Sequence, residues 1–119
     1  MLHIVHALRQ SPAVKQVQVL DLIDEATVKH LQCRAELADG STLHVNESSI
    51  MGKNKYSYHW QDAQNKLIVR WDNAPHHPRI SSFPHHRHEG GGVHESPRVS
   101  IDEVLLEIEE HFKAAGILS

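Results

Sequence analysis

Cysteine, net charge and long apolar runs are scarce in this chain, and each shortage excludes a class of protein. The one cysteine, Cys33, cannot form an intramolecular disulfide, so the expected setting is a reducing compartment and the expected location cytoplasmic. Cys33 falls on the apolar parity of a strand pattern, which reads as a buried inert thiol and not as a nucleophile. No apolar run approaches the roughly 20 residues that a membrane-spanning helix needs, so no membrane contact is expected. The opening MLHIVHALRQSP has neither the charged leader nor the small-residue cleavage site of a signal peptide. A formal net charge of −3 excludes the strongly basic profile of a nonspecific nucleic-acid binder. CxxC and HExxH spacings are missing as well, so no metal ligand set and no cofactor is assigned from motifs.

Histidine is what the chain has in excess. Its twelve imidazoles have a reference pKa near about 6.5, so partial protonation near neutrality can cancel the small negative charge. Six of the twelve, with both tryptophans and both tyrosines, lie between positions 55 and 88. A chain of 119 residues is read as one domain over 1–119, long enough for a single core.

The pattern along the chain predicts an α+β fold. Leu2, Val5 and Leu8 repeat at helical spacing, and Ser11-Pro12 ends that run. Val17 and Val19 alternate with glutamines and then change parity at Leu20 and Leu22, as a β-bulge would produce. Leu31, Cys33, Ala35 and Leu37 face one way in the next strand, and Asp39-Gly40 makes a tight turn. Leu43 and Val45 continue the apolar face. Glu47 then falls at the same parity, either because the strand has left the core or because this carboxylate points into a site. Tyr56, Tyr58 and Trp60 alternate in a fourth strand; Leu67, Val69 and Trp71 do so in a fifth. Short turns make the five strands an antiparallel meander in which His59, Arg70 and Asp72 can share a face. Four prolines and a triple glycine between Asn73 and Pro97 predict a long histidine-rich loop without regular structure. Ser100 and Glu103 form a capping box for a last helix bearing Ile101, Val104, Leu105, Ile108 and Phe112, with Gly116 as its terminator. The acidic face of that helix, Glu107, Glu109 and Glu110, reads as solvated. The expected architecture is an antiparallel sheet of about five strands with both helices packed on one face.

The loop carries the chemistry. His76-His77 and His85-His86 sit in proline-bounded segments, and neighbouring side chains on extended backbone diverge, so one of each pair is expected to enter a common site. Three readings stay open. Imidazoles of differing environment could act as acid and base on a phosphodiester, with Arg70 or Arg87 holding phosphate. They could bind a transition metal completed by Asp72 or Glu47. They could form a structural or pH-sensitive feature without catalysis. Asp72 and Asn73 could equally serve as turn caps. Tyr58 and Trp60 are candidate base contacts, although aromatics at this spacing commonly pack in cores. His3, His6, His30, His44 and His111 are scattered singly and suggest no role.

The segments KYSYHWQD, RWDNAPHHP and FPHHRH, in this order and separation, resemble the TumE family of small bacterial and archaeal toxins, encoded beside a helix-turn-helix antitoxin. The resemblance runs from the first helix to the last, and its specific positions are Tyr56, Tyr58, His59, Trp60, Gln61 and Asp62, then Arg70, Trp71, Asp72, Asn73, His76 and His77, then His85, His86 and His88. The chain departs from the pattern before Thr27 and between Glu89 and Pro97. What the resemblance implies is a toxin held in check by a cognate partner; it assigns no bond. The reading carried forward is a metal-independent ribonuclease acting on RNA. His77 with His85 or His86 is the preferred acid–base pair, Arg70 is the phosphate anchor and Asp72 orients a histidine. His76 and His59 complete the catalytic candidates, and Arg87, Tyr58 and Trp60 the substrate contacts. A non-catalytic inhibitory module and a metal-dependent nuclease are the alternatives. The helices could also support a homodimer.

Overall fold

Apolar side chains at every second position, carried through successive segments joined by short turns, dictate neighbouring antiparallel strands with one buried face. The computed structural model describes residues 1–119 and follows that rule further than the sequence suggested. After helix α1 (Leu2–Gln10) come β1 (Val14–Asp24), β2 (Val28–Leu37), β3 (Thr42–Ile50), β4 (Lys53–Gln61), β5 (Leu67–Asp72), β6 (His86–Glu89) and β7 (Gly92–Glu95), then helix α2 (Ile101–Ala114). The strands form one sheet in sequence order, every neighbouring pair antiparallel. No helix is long and apolar enough to cross a membrane.

Two strands correct the expected five-strand sheet and its unstructured 73–97 loop. β6 and β7 form a hairpin whose turn is Gly90-Gly91, both at positive φ. Glycine tolerates this backbone without steric cost, and two such residues are what a two-residue hairpin turn requires. The hairpin escaped sequence reading because HRHE has no apolar alternation. Its side chains are held by ion pairs and imidazole contacts instead. Outside the hairpin, residues 73–85 and the short link from 96 to α2 remain without strand or helix. The parity change in the first strand is a register shift against β2 between Val19 and Asp21, the bulge its sequence called for.

One face of the sheet buries Leu31, Cys33, Ala35, Leu37, Leu43, Val45, Tyr56, Tyr58, Trp60, Val69 and Trp71 in the same core as residues of both helices. In α1 the inward residues are Ile4, Val5 and Leu8, while Leu2 is exposed. α2 begins at the expected capping box on Ser100 and Glu103. It ends with the Ile117 amide donating to the Phe112 carbonyl at 2.8 Å beyond Gly116, whose φ is +76°. That is the left-handed glycine terminator.

The acidic face of α2 is more than a solvated surface. Glu107 accepts from Arg87 Nη1 and Nη2, both at 2.7 Å, and the same guanidinium lies 5.2 Å from the centre of the Trp71 ring. Glu109 accepts from Ser11 at the end of α1 at 2.7 Å. The Arg87 fork therefore ties β6, which has little apolar surface of its own, to the helix layer. A double-mutant cycle of Arg87→Met and Glu107→Gln is expected to give a coupling energy of about 1 kcal/mol in chemical denaturation, because the pair is bidentate but partly exposed. Additive single effects would show that the fork contributes no net stability.

Candidate functional site

Alternation sends successive side chains of a strand to opposite faces, and the sheet register turns this into rows on the face opposite the core. One row runs Arg34, His44, His59, Arg70, His88 across β2 to β6. The next runs Gln32, Asn46, Ser57, Asp72, His86 over the same strands. Loop residues 73–85 follow β5 and bring His77 to the end of these rows, its ring centroid 4.8 Å from that of His86 and 5.6 Å from that of His88.

Asp72 lies at the centre and is only 4% exposed. Its Oδ2 accepts from Arg70 Nε at 2.9 Å, its Oδ1 accepts from the Ala74 amide at 3.0 Å, and His86 Nε2 stands 2.9 Å from Oδ1. His88 Nε2 is 3.6 Å from Oδ2. His86, 2% exposed, has its Nδ1 2.9 Å from the Pro84 carbonyl oxygen. Both of its nitrogens therefore face acceptors. The ring is thereby held at both ends, by the backbone on one side and by Asp72 on the other. The nitrogens of His77, His86 and His88 lie within 4.8 Å of one another, so these three are also the residues that could hold a metal.

The rest of the row is tuned by burial. His59 and His44 both have pKa values below the ordinary imidazole range, chiefly because burial penalises the charged ring, with Arg70 and Arg34 respectively adding repulsion. His88 is lowered by burial against the opposing pull of Asp72. Arg70 Nη1 lies 3.1 Å from His59 Nδ1. Because a guanidinium can only donate, His59 accepts there and a neutral ring carries its proton on Nε2. A cleft of about 340 Å³ opens beside Arg70 and Asp72, with Asn46, Lys55, Ser57 and His76 on its walls.

The expected candidates thus separate. His77, His86, Asp72, Arg70 and His59 come together, and His76 stands on the cleft rim, exposed. His85 turns away: its Nδ1 is 2.8 Å from the Tyr56 hydroxyl and its ring lies parallel to that of Tyr56. Arg87 is on the core side, committed to Glu107. Tyr58 and Trp60, each 2% exposed, are core residues and offer no ring face to a base. The Tyr58 hydroxyl donates to Glu47 at 2.7 Å, which places Glu47 at the rim of the core; burial and this carboxylate push the Tyr58 pKa up. Asn73 bridges backbone, accepting from the Tyr56 amide and donating to the Asn54 carbonyl, both at 2.9 Å. Arg34 and His44 had not been singled out. Their signal is parity combined with register: each occupies the polar phase of its strand, but only the pairing of five strands puts them in one line.

Asp72→Asn and His86→Ala each leave one member of a buried pair without its partner. Each is expected to cost about 3 kcal/mol in chemical denaturation, whereas His85→Ala, which loses one hydrogen bond on the other face, costs about 1 kcal/mol. Equal losses at positions 85 and 86 would contradict the assigned geometry.

Comparison with known proteins places the chain in a family. The family model described as Toxin TumE matches residues 4–112. No curated protein and no solved structure matches the chain. The match spans all seven strands and both helices apart from the first two residues of α1 and the last two of α2, and the chain belongs to the TumE toxin family.

Proposed function

We propose that this toxin acts on RNA, gripping one strand along the Arg34–His44–His59–Arg70–His88 row and cutting it where that row meets the Asp72–His86 cluster. The observation that carries the reading is the row itself: five nitrogen-rich side chains at successive pairing positions on the helix-free face of the sheet. With strands about 4.8 Å apart the row is about 19 Å long, the reach of a few nucleotides. Arg34 and Arg70 carry permanent charge for phosphates. His59 presents Nε2–H to a phosphoryl oxygen, and the rings of His44 and His59 are the surfaces on which bases can stack. Arg70, held by Asp72 and His59, is the anchor nearest the cluster. In the cell a cognate helix-turn-helix antitoxin silences the toxin, as the family resemblance implies.

Purified chain and a short single-stranded RNA test the grip. Arg34→Ala and Arg70→Ala are each expected to lower affinity and to reduce the slope of log K against log salt by about 0.7, one phosphate contact apiece. Affinity should rise as pH falls below about 6.5, where His44 and His59 begin to gain charge, and His44→Ala/His59→Ala should flatten that rise. The linked effect on folding has the opposite sign. Because the folded values of both histidines lie below the ordinary one, the unfolded chain takes up protons first, and their contribution to stability falls as pH drops through this range. Cleavage is tested in cells by mapping new RNA ends with wild type and Arg70→Ala at matched soluble levels. Growth arrest by the wild type without new ends would overturn the RNA reading in favour of inhibition by binding alone.

A further inference from the structure

The three imidazoles at the end of the row have an arrangement that proton transfer alone does not explain. An imidazole acid–base pair needs one ring with a free lone pair and another with a proton to give. His86, the most buried of the cluster, offers neither: Nδ1 is engaged by the Pro84 carbonyl and Nε2 points at Asp72 Oδ1. The same contacts suit a different occupant. A donor bond from Nδ1–H to a backbone carbonyl fixes the tautomer and leaves the Nε2 lone pair outward, the usual way a protein prepares a histidine ligand. That lone pair then faces a carboxylate across a gap in which a cation can replace the proton. His88 Nε2 lies 3.6 Å from the other oxygen of the same carboxylate, and His77 closes in from the loop. None of the three ring pairs is stacked face to face; their planes cross at 67°, 71° and 79°.

We propose that His77, His86 and His88 bind one divalent transition-metal ion of the zinc class, with Asp72 completing the shell. Three imidazole nitrogens and one carboxylate oxygen make a borderline-soft donor set that suits zinc, cobalt or nickel and disfavours calcium and magnesium. The scaffold supplies most of the geometry. His86 and His88 are two residues apart on one face of β6, and Asp72 is the direct pairing partner of His86 on β5. Metal–nitrogen bonds of about 2.0–2.1 Å set ligand atoms about 3.4 Å apart in a tetrahedral shell, so the present imidazole spread of up to 4.8 Å contracts by about 1.4 Å when the His77 loop moves in, and the 2.9 Å contact of His86 with Asp72 opens by about 0.5 Å. Arg70 Nε and the Ala74 amide already hold the carboxylate, the outer support that ligating carboxylates receive. The site follows from these contacts alone. Its part in catalysis, as a Lewis acid at the scissile phosphate, rests on the RNA reading above.

The test uses untagged full-length chain stripped with chelator, titrated with Zn²⁺ by calorimetry and with Co²⁺ by visible absorption. One equivalent should bind, with cobalt d–d bands of the intensity expected for nitrogen and oxygen ligands. His77→Ala and His88→Ala, on the loop and at a partly exposed position, should each weaken binding at least about tenfold. His85→Ala and His94→Ala should leave it unchanged. No saturable one-to-one binding, or undiminished binding in His77→Ala and His88→Ala, would overturn the site and show only scattered histidine contacts. RNA cleavage is scored separately on the same samples. Stoichiometric binding without cleavage upholds the site and sinks the RNA reading. Cleavage by stripped protein that binds no metal sinks the site and leaves the RNA reading standing.

Discussion

A carboxylate removed from water must find positive charge and hydrogen-bond donors close by, or it will not stay ionised. Asp72 meets that demand with Arg70 from its own strand, the Ala74 amide from the loop that follows and His86 from the strand beside it. Each partner is thereby fixed in turn. Arg70 cannot swing away from His59. The first residues of the loop fold back over the sheet. His86 is drawn into register opposite Asp72, which brings His88 to the end of the row two pairing positions further on. A strand as short and polar as β6 has little hydrophobic reason to join a sheet, and this electrostatic demand supplies one.

The same short stretch of pairing also serves the other face. Trp71 opposes Arg87 one position away from the Asp72–His86 pair, and Arg87 reaches over Trp71 to Glu107 on α2. Two neighbouring pairs on β5 and β6 thus point in opposite directions. One locks the hairpin to the helix layer, and the other assembles the site. Alternation with period two makes this division unavoidable. It also explains why His85 and His86, adjacent in sequence, end on different sides, one against Tyr56 and the other against Asp72.

Much of this was legible in the chain. The apolar alternation of Leu31 to Leu37 and of Tyr56 to Trp60, the capping box at Ser100 and the Gly116 terminator are local signals, and the structure realises each of them. The gathering of His59, Arg70 and Asp72 on one face also follows from parity once strands four and five pair. What escaped was non-local. The hairpin of β6 and β7 has no hydrophobic period, because its stability comes from charges elsewhere in the chain. His44 and Arg34 look isolated until the register of β2, β3 and β4 aligns them with Arg70. Tyr58 and Trp60 show the converse: their residue types suggested stacking on bases, but their phase in the strand sends them to the core.

On the RNA reading proposed above, net charge is a poor guide to the partner of such a sheet. The −3 of the whole chain conceals an uneven distribution of charge. Asp102, Glu103, Glu107, Glu109 and Glu110 all ride on α2, whose apolar residues share the core with the buried face of the sheet, while Arg34, Arg70 and the row histidines occupy the face turned away from that core. A polyanion responds to the local potential, not to the sum, and the acidic helix repels it from the side that has no site. Under the proposed RNA reading, segregation of this kind would let a protein without an overall basic profile meet a phosphate backbone in one orientation. The burial that keeps His44 and His59 neutral sharpens the effect, since their charge appears only when acid, or a phosphate beside them, favours the protonated ring.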